Sequence, residues 1–585
     1  MKKIFLTLLI LLSFVFTIQA QYSDTRVLEK QFENSDLYFK RFYLNTFGLK
    51  HFSDVSSGFF SDPFSRVKLN PTFGLTDTSR HCHFYFDYRS DRTEEIPRSF
   101  IRPMVYAPGT DIIAPNPRWY RISRSEPQPV FSAGFRSRIA SRFHFTAVYQ
   151  FIYKEEPYYR QPYYWDRLET YYNGFKAEET PVVSYQRKQN QTLTRAHLLA
   201  IYLAYRIRPN LWAGVGANFV SHKRNADYLY LNNDRFDQTN YASNADNRNL
   251  SYWHNDFSLG LNWLASQAWQ FGIQVGRLKG RARQSEAYLD SMYFSFGNGH
   301  SYYHRQTVSH FDHSGNRYYT TLTFQFSPNP HQRLFAFLNY ARLQNDLRNR
   351  SDVDNRDLWI YQFRNGLEYE RSSSVSTLTS RRTDNGTLNE HLLESMISLR
   401  ITQNKRNIMR VGFYYSYLNG KKHVTEPAPV DVNYQYHVEE NDQAQGPYSY
   451  DNTYLYQEDK TLYWTYRYTR YSLQMPIYGW HKVNRNLAFF VIINKVWTAW
   501  KTSEKIDAYY KDWYKLTNNQ ETHKQNFIKR YELQPGQNAT KDSSDLALGF
   551  EVRPIKNVLV RYLINPDWDD SSHISQWWLS IYLNL

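Results

Sequence analysis

Residues 310–317 contain the residue types of a hydrolytic site, since Asp312, His313 and Ser314 are consecutive there. A serine nucleophile needs a histidine within hydrogen-bond reach to accept its proton. Consecutive residues of a β-strand point to opposite faces, so His313 and Ser314 could not readily share a proton in a strand. We therefore assign no residue a catalytic role and expect that the protein is not an enzyme.

His81 and His83 are the best candidates for metal ligands, since a spacing of two places both on one face of a strand. Two histidines without a third ligand do not complete a zinc site. The single cysteine, Cys82, excludes a disulfide within the chain and any zinc site built on several cysteines. We expect no metal and no cofactor.

Polar side chains at alternate positions of several candidate strands could line a water-filled channel. A ring of arginines in such a channel favours anions through its electric field. In the alternative reading, the arginines pair with acidic side chains of loops and only fill the interior. The predicted lining residues are Arg136, His144, Arg206, Asn262, Gln270, Gln274, Arg400, Arg410, Arg470 and Gln474.

Two segments, 334–338 and 487–493, are apolar on both faces. Their inward side chains need a dry partner, because exposure to an open water channel costs about 25 cal/mol for each Å² of apolar surface. Either a folded N-terminal segment covers them, which we favour, or they line a path for an apolar ligand. The inward candidates are Phe335, Phe337, Phe490 and Ile492.

Strands must position these residues, and the sequence repeats a pattern of two alternating segments joined by a tight polar turn. In residues 257–263, large apolar side chains from Phe257 to Trp263 share one face, and small or polar side chains share the other. After a turn at 265–267, the alternation resumes from Trp269. A single globular sheet would look similar in one strand, but the recurrence of this unit favours a barrel.

Seven such hairpins follow one another along the chain. Their turns are predicted near Ala140 and at 208–210, 265–267, 327–332, 404–407, 484–486 and 554–557. An opening strand near residues 83–89 and a last strand at 577–585 bring the count to sixteen. Fourteen and eighteen strands are the alternatives.

Long polar segments separate the hairpins, at 154–191, 222–251, 281–315, 344–387, 419–460 and 501–544. Short turns at one end and long loops at the other are typical of outer-membrane barrels, whose short turns are periplasmic. We therefore predict an all-β fold, an antiparallel transmembrane β-barrel of about sixteen strands with long extracellular loops.

The last nine residues alternate, with Trp577 and Leu585 on the same face. They resemble the C-terminal assembly signal of bacterial outer-membrane β-barrels, which is an amphipathic last strand. That family usually ends in an aromatic residue, whereas this chain ends in the aliphatic Leu585. The resemblance implies a multi-pass barrel in the outer membrane of a Gram-negative cell.

The ends of the chain suggest a division into three parts. Residues 1–20 have the layout of a secretory signal peptide, in which Lys2 and Lys3 precede an apolar run that ends before Ala20. Residues 21–80 alternate weakly and could form a periplasmic extension, an early strand pair or a plug. No linker divides residues 81–585, so we assign them to one transmembrane barrel.

Composition and charge agree with this reading. The chain has 51 Tyr and 15 Trp, which suit an aromatic girdle at the membrane boundary. Its net charge of +16 would attract lipopolysaccharide phosphates or anionic solutes, although an ordinary solvated surface would carry such charge equally well. The basic residues are scattered rather than gathered into a stripe, so we expect no nucleic-acid partner.

The combination of strand number, apolar lumen residues and a short N-terminal segment resembles porin-like barrels and the long-chain fatty-acid transporter class. The resemblance is architectural and implies an N-terminal plug and passage of hydrophobic solutes; the composition is similar to Bacteroidota barrels. We predict an outer-membrane channel or transporter that passes an unknown small solute by diffusion. The alternative is a non-transporting scaffold for periplasmic or surface protein partners in secretion, surface attachment or motility.

Overall fold

The computed structural model describes residues 37–42, 56–60, 63–75, 83–91, 131–157, 191–233, 241–296, 299–365, 368–404, 406–442, 446–566 and 574–584. The predicted signal peptide, His81 and Cys82 lie outside these residues. Among the described residues, the helices fall short of the length and apolar character that a membrane span requires.

A single antiparallel sheet contains all the strands of the described residues, each paired with its neighbours in sequence. The strands are β1 His83–Asp91, β2 Phe131–Ala140, β3 Phe143–Pro157, β4 Gln191–Arg208, β5 Leu211–Asn233, β6 Tyr241–Leu264, β7 Trp269–Phe296, β8 Gly299–Asn329, β9 Gln332–Asn365, β10 Glu368–Gln403, β11 Asn407–Pro427 with Val430–Asp442, β12 Gly446–Lys482, β13 Leu487–Thr517, β14 Gln520–Val552, β15 Val558–Pro566 and β16 Ile574–Asn584.

The sheet closes on itself, because β1 pairs with β16 from His83↔Asn584 to Asp91↔Gln576. The two parts of β11 form one strand, since both pair with β10 on one side and β12 on the other. Pro429 lies at the break between them and has no N–H to donate to the ladder. The barrel therefore has sixteen strands, and the predicted fold and strand number are confirmed.

All seven predicted turns lie between paired strands. In the turn between β12 and β13, the side chain of Asn484 accepts the backbone N–H groups of Asn486 and Leu487, at 2.8 and 2.9 Å. In the turn between β10 and β11, Asn404 has a φ of 53°, a left-handed conformation that asparagine tolerates better than most residues. Short polar turns thus join the strands at one end of the barrel.

The expectation of long loops at the other end is wrong for most of the six predicted segments, which continue the strands. Strands β9 and β10 remain paired from Gln332↔Ile401 to Asn365↔Glu368, so the predicted loop 344–387 is a continuation of both strands. A strand of 34 residues spans about 110 Å, whereas the apolar band of such barrels is about 25 Å tall. The wall therefore extends far beyond the membrane on this side. Residues 158–190, in the first predicted loop, lie outside the described residues.

Exposure alternates along the strands as predicted. Phe257, Leu259 and Trp263 are 56%, 60% and 50% exposed and point outward, whereas Ser258 and Asn262 are buried on the inner face. An outward apolar row of this kind continues across the turn into β7, with Phe271 and Ile273. The outer surface near the short turns is therefore apolar, as contact with lipid requires.

Three short helical elements precede the barrel: α1 Ser56–Phe59, α2 Pro63–Arg66 and a 3-10 helix Pro71–Leu75. Together with residues 37–42 they contact the inward faces of the strands, and their described residues 37–42, 56–60 and 63–75 are called the inner segment below. A Cβ at Gly58 would lie 2.6 Å from the ring of Phe337 on β9, which shows how closely α1 approaches the wall.

Candidate functional site

The inward face of the wall is largely polar. Of the predicted lining residues, Arg136, His144, Asn262, Gln270, Gln274, Arg410 and Gln474 are buried there. Neighbouring strands exchange side-chain hydrogen bonds across this face; for example, Asn494 donates to Gln474 at 3.1 Å. Arg400 and Arg470 are half-buried. Arg206 is exposed at the short-turn end, where its guanidinium donates to the Pro209 carbonyl at 3.1 Å.

A closed sheet with an apolar outer surface and a polar interior can cross a bilayer with its backbone N–H and C=O groups paired between strands. The chain has the architecture of a transmembrane β-barrel. Its functional groups are therefore expected inside the wall, where strands and inner segment meet.

The predicted apolar lumen residues lie in one cluster near the short-turn end of the barrel. Phe335, Phe337, Phe490 and Ile492 are all buried there. The inner segment contributes Phe59, Phe60, Leu69 and Phe73 to the same cluster. The ring centres of Phe73 and Phe335 are 6.1 Å apart with an interplanar angle of 64°, a favourable edge-on contact. Residues of the same chain thus lie over the apolar part of the lumen wall.

A patch of glycines on β5, β6 and β7 receives the loop around Asn70. The Nδ2 of Asn70 donates to two wall carbonyls, those of Leu261 and Ile273, at 2.9 and 3.1 Å. A Cβ at Gly260 would lie 2.4 Å from Asn70 Oδ1, a distance that no relaxed side chain tolerates. The absence of a side chain at Gly260 therefore lets the inner segment touch the wall backbone.

Arg41 of the inner segment lies against an acidic site of the wall. Its Nε is 3.8 Å from Oδ2 of Asp256, and both side chains are buried. Asp256 also accepts hydrogen bonds from Tyr319 Oη at 2.7 Å and Asn218 Nδ2 at 2.9 Å. The guanidinium carbon of Arg41 lies 3.8 Å from the centre of the Tyr319 ring, a cation–π contact. Gln274, a predicted lining residue, accepts a further hydrogen bond from Arg41 at 3.0 Å.

Two neighbours of Arg41 extend this attachment. The backbone N–H of Phe39 donates to the Tyr252 hydroxyl at 2.6 Å. Phe39 has a φ of 49°, so the chain turns sharply at this point. The Tyr38 hydroxyl lies 3.2 Å from Nδ1 of His313 and accepts a hydrogen bond from Asn345 at 3.1 Å. The inner segment is thus held by side-chain contacts, with no strand pairing to the wall in the residues described.

His313, the candidate catalytic histidine, belongs to this attachment. Its second ring nitrogen lies 3.2 Å from Oδ1 of Asn349, so both nitrogens have polar neighbours on the inner face. His313 is buried while Ser314 is half-buried, as expected for consecutive residues on opposite faces. Within the described part of the chain, no group of three or more His, Cys, Asp or Glu side chains could hold a metal ion.

Arginines form a row across three adjacent strands near the short turns. Arg400 on β10 is the direct cross-strand partner of both Arg333 on β9 and Arg410 on β11. The positive charges of Arg66, Arg333 and Arg400 all act on the buried Arg410. Arg66, from α2, lies with its guanidinium carbon 4.4 Å from the ring centre of Phe335. Cationic side chains are thus concentrated beside the apolar cluster.

Sequence reasoning missed two residues of the site, Asp256 and Arg333. Asp256 and Asn262 lie an even number of residues apart on the same strand, so both point to the same face. The inward direction of Asp256 could therefore have been predicted from the alternation. Arg333 follows a predicted turn directly, where the alternation had only begun. The contacts of the inner segment had no such signal, because Arg41 and Asp256 are separated by 215 positions.

No family model and no curated protein matches the sequence. Among solved structures, the barrel is similar to a FadL homologue of Pseudomonas aeruginosa, with a TM-score of 0.33 and 9% identity over 90% of this chain and 95% of that one. The toluene transporter TodX of P. putida gives 0.32 and 8%, over 90% and 95%. The ferric-catecholate import receptor Fiu of E. coli K12, in its open form, gives 0.27 and 5%, over 87% and 82%. The assignment of the fold rests on the geometry of the barrel itself.

Proposed function

We propose that this barrel is an outer-membrane channel that passes a small anionic solute by diffusion, and that the inner segment plugs it. The observation that carries the proposal is the arginine row Arg333, Arg400 and Arg410. Like charges directly opposite each other on neighbouring strands destabilise a sheet. A row of this kind on an inward face lowers the stability of the barrel. We infer that it is retained because it selects anions.

The contacts of the inner segment support its role as a plug that can be displaced. It touches the wall through the Arg41–Asp256 pair, the Asn70 hydrogen bonds and the aromatic cluster around Phe335. None of these contacts is covalent. Segments that move during gating are drawn from the parts of a protein with the lowest local stability.

The apolar cluster argues against a permanently wet path beside Phe335 and Phe490. With the inner segment in place, both rings are buried by Phe59, Phe60 and Phe73. Displacement of the segment would expose them, so opening is expected to be rare or to need a ligand. A solute with an anionic group and an apolar part would contact both the arginines and these rings.

A second function, that of a scaffold for protein partners, is favoured by one observation. Strands β9 and β10 continue as a paired, polar hairpin far beyond the membrane. Such a hairpin offers a large surface outside the membrane that a channel does not require. We propose the scaffold as the alternative, with attachment or secretion partners at this surface.

Recordings in planar bilayers test the proposal. The purified full-length barrel is inserted, and a salt gradient is applied across the membrane. If the barrel is a channel, we expect discrete openings and a reversal potential whose sign shows that anions carry most of the current. A barrel that never conducts, yet co-purifies with a defined set of proteins, would favour the scaffold and contradict the channel.

A further inference from the structure

The outward face of β7 changes from apolar to basic within two residues. Ile273 and Val275 point outward at the level of the apolar band. The next four outward positions are Arg277, Lys279, Arg281 and Arg283, called the basic row below. Because strands rise about 3.3 Å per residue, the basic row covers roughly 20 Å of wall. It lies on the long-strand side of the band, which is the extracellular side.

Little negative charge offsets the basic row among the described residues. Asp312 on β8 accepts the guanidinium of Arg281 and lies 3.8 Å from Arg283. Arg281 beside it holds the pKa of Asp312 below its ordinary value. Arg277 donates to a neutral partner, Oδ1 of Asn316, at 3.1 and 2.9 Å. The basic row therefore keeps a clear excess of positive charge.

A groove lies beside Arg283, at the end of the basic row farthest from the apolar band, on the outer wall formed by β5 to β8. It has a volume of about 430 Å³, and its lining includes Lys223, Asn249, Ser251, Arg283, His310 and Asp312. Lys223 adds a cation on β5 that is exposed. The groove thus combines two cations with neutral hydrogen-bonding groups and one carboxylate, that of Asp312, which Arg281 already engages. The remaining positive charge suits a phosphorylated sugar.

Rings flank the boundary between band and basic row. Arg277 pairs across strands with Phe257 on one side and Tyr318 on the other, and these rings are 56% and 45% exposed. The guanidinium of Arg277 lies 5.6 Å from the centre of the Tyr318 ring. Acyl chains would lie along the apolar band below this boundary, while headgroups would lie level with the cations above it.

We propose that the basic row and the groove bind the phosphate groups of a phosphorylated glycolipid in the outer leaflet, of the lipid A type. The continuity of the cations with the apolar band selects a lipid over a soluble anion, because one molecule would satisfy both surfaces. This inference does not depend on the channel proposal, since it concerns the outer wall and not the interior.

Native mass spectrometry of the full-length barrel in detergent tests the site. The probe is bisphosphorylated lipid A, compared with dephosphorylated lipid A and with inorganic phosphate alone. The site variant is K223Q/K279Q/R283Q, which leaves the Arg281–Asp312 pair intact. The control variant is K515Q/K524Q/K529Q, which removes the same charge from the outer part of the β13–β14 hairpin.

We expect the site variant to bind bisphosphorylated lipid A about a hundredfold more weakly, because each of the three basic residues near a membrane surface contributes about fivefold. The control variant should bind as the unmodified protein does, and dephosphorylated lipid A should bind weakly to all three. Equal binding by site and control variants would overturn the proposal. Inorganic phosphate that binds alone with the same dependence on the site variant would assign the site to a free anion and overturn the lipid assignment.

Discussion

Arg41 and Asp256 form a buried ion pair between the inner segment and the barrel wall, with Arg41 Nε 3.8 Å from Asp256 Oδ2. Both groups also have other partners, since Asp256 accepts from Tyr319 and Arg41 donates to Gln274. This pair joins the inner segment, whose described residues form no strand pairs, to the wall of the barrel. Its loss should act on the position of the inner segment before it acts on the barrel.

Replacement of Asp256 by asparagine should loosen the inner segment. It leaves the Arg41 guanidinium buried without its counter-charge, a change that costs about 3 kcal/mol in buried pairs. The expected result is faster proteolysis within residues 37–75 and more frequent channel openings. The control is Asp352→Asn, whose partners Arg350 and Arg381 are exposed and whose loss should cost under about 1 kcal/mol. Equal protease sensitivity of both variants would contradict the role of the pair.

A side chain at Gly260 should expel Asn70 from the wall. In Gly260→Ala the new methyl group would lie 2.4 Å from Asn70 Oδ1, so we expect a loss of about 1–3 kcal/mol in unfolding free energy. Gly479→Ala is the control, because its nearest neighbour is Val491 Cγ1 at 3.3 Å. Urea titrations followed by gel mobility measure both. If the two variants unfold at the same urea concentration, the contact with Asn70 is not tight.

The side chain of Asn70 should act as a donor and not only as a filler. Asn70→Asp keeps the shape but replaces the amide with a carboxylate, which cannot donate to the carbonyls of Leu261 and Ile273. Repulsion between the carboxylate and these carbonyls should make Asn70→Asp open more often than Asn70→Ala in bilayer recordings. The reverse order would show that the hydrogen bonds do not hold the segment.

The arginine row should set the charge preference of the pore. In the double variant R400Q/R410Q we expect the reversal potential in a salt gradient to move toward zero, because two of the positive charges facing the path are gone. Arg206→Gln is the control, since Arg206 is exposed and bonds to its own turn. A double variant as anion-selective as the parent would remove the arginine row from the mechanism.

The barrel was predictable because, within the membrane, apolar side chains that face lipid alternate with polar side chains that face the interior. The turns, the sixteen strands and the outward row from Phe257 to Trp263 all follow from that contrast and are confirmed. Beyond the membrane the outward face of a strand meets water instead of lipid and is polar, so hydropathy no longer alternates and paired strands such as 344–387 read as loops. Side chains such as Leu347 nevertheless remain buried on the inner face there. Strand pairing there depends on register, which hydropathy does not encode.

The site was predictable only in part. Parity gave the inward direction of Arg400, Arg410 and Gln474, but parity says nothing about which side chains meet across the lumen. The glycine patch that receives Asn70 is visible in the sequence only as small residues at alternate positions. The role of these glycines depends on the inner segment. Tertiary contacts place that segment in the lumen, and the sequence pattern does not reveal such contacts. The lining roles of these residues stay predictions.

A reversible disulfide between the inner segment and the wall tests the central proposal most directly. Thr72 Cγ2 lies 3.1 Å from the position that a Cβ at Gly214 would take, which is close to the sulfur-to-Cβ distance across a disulfide. In a Cys82→Ser background, the double variant T72C/G214C should form this bond. We predict that the oxidised barrel is silent in planar bilayers and that reduction restores its openings. Equal conductance before and after reduction would contradict a plug formed by the inner segment.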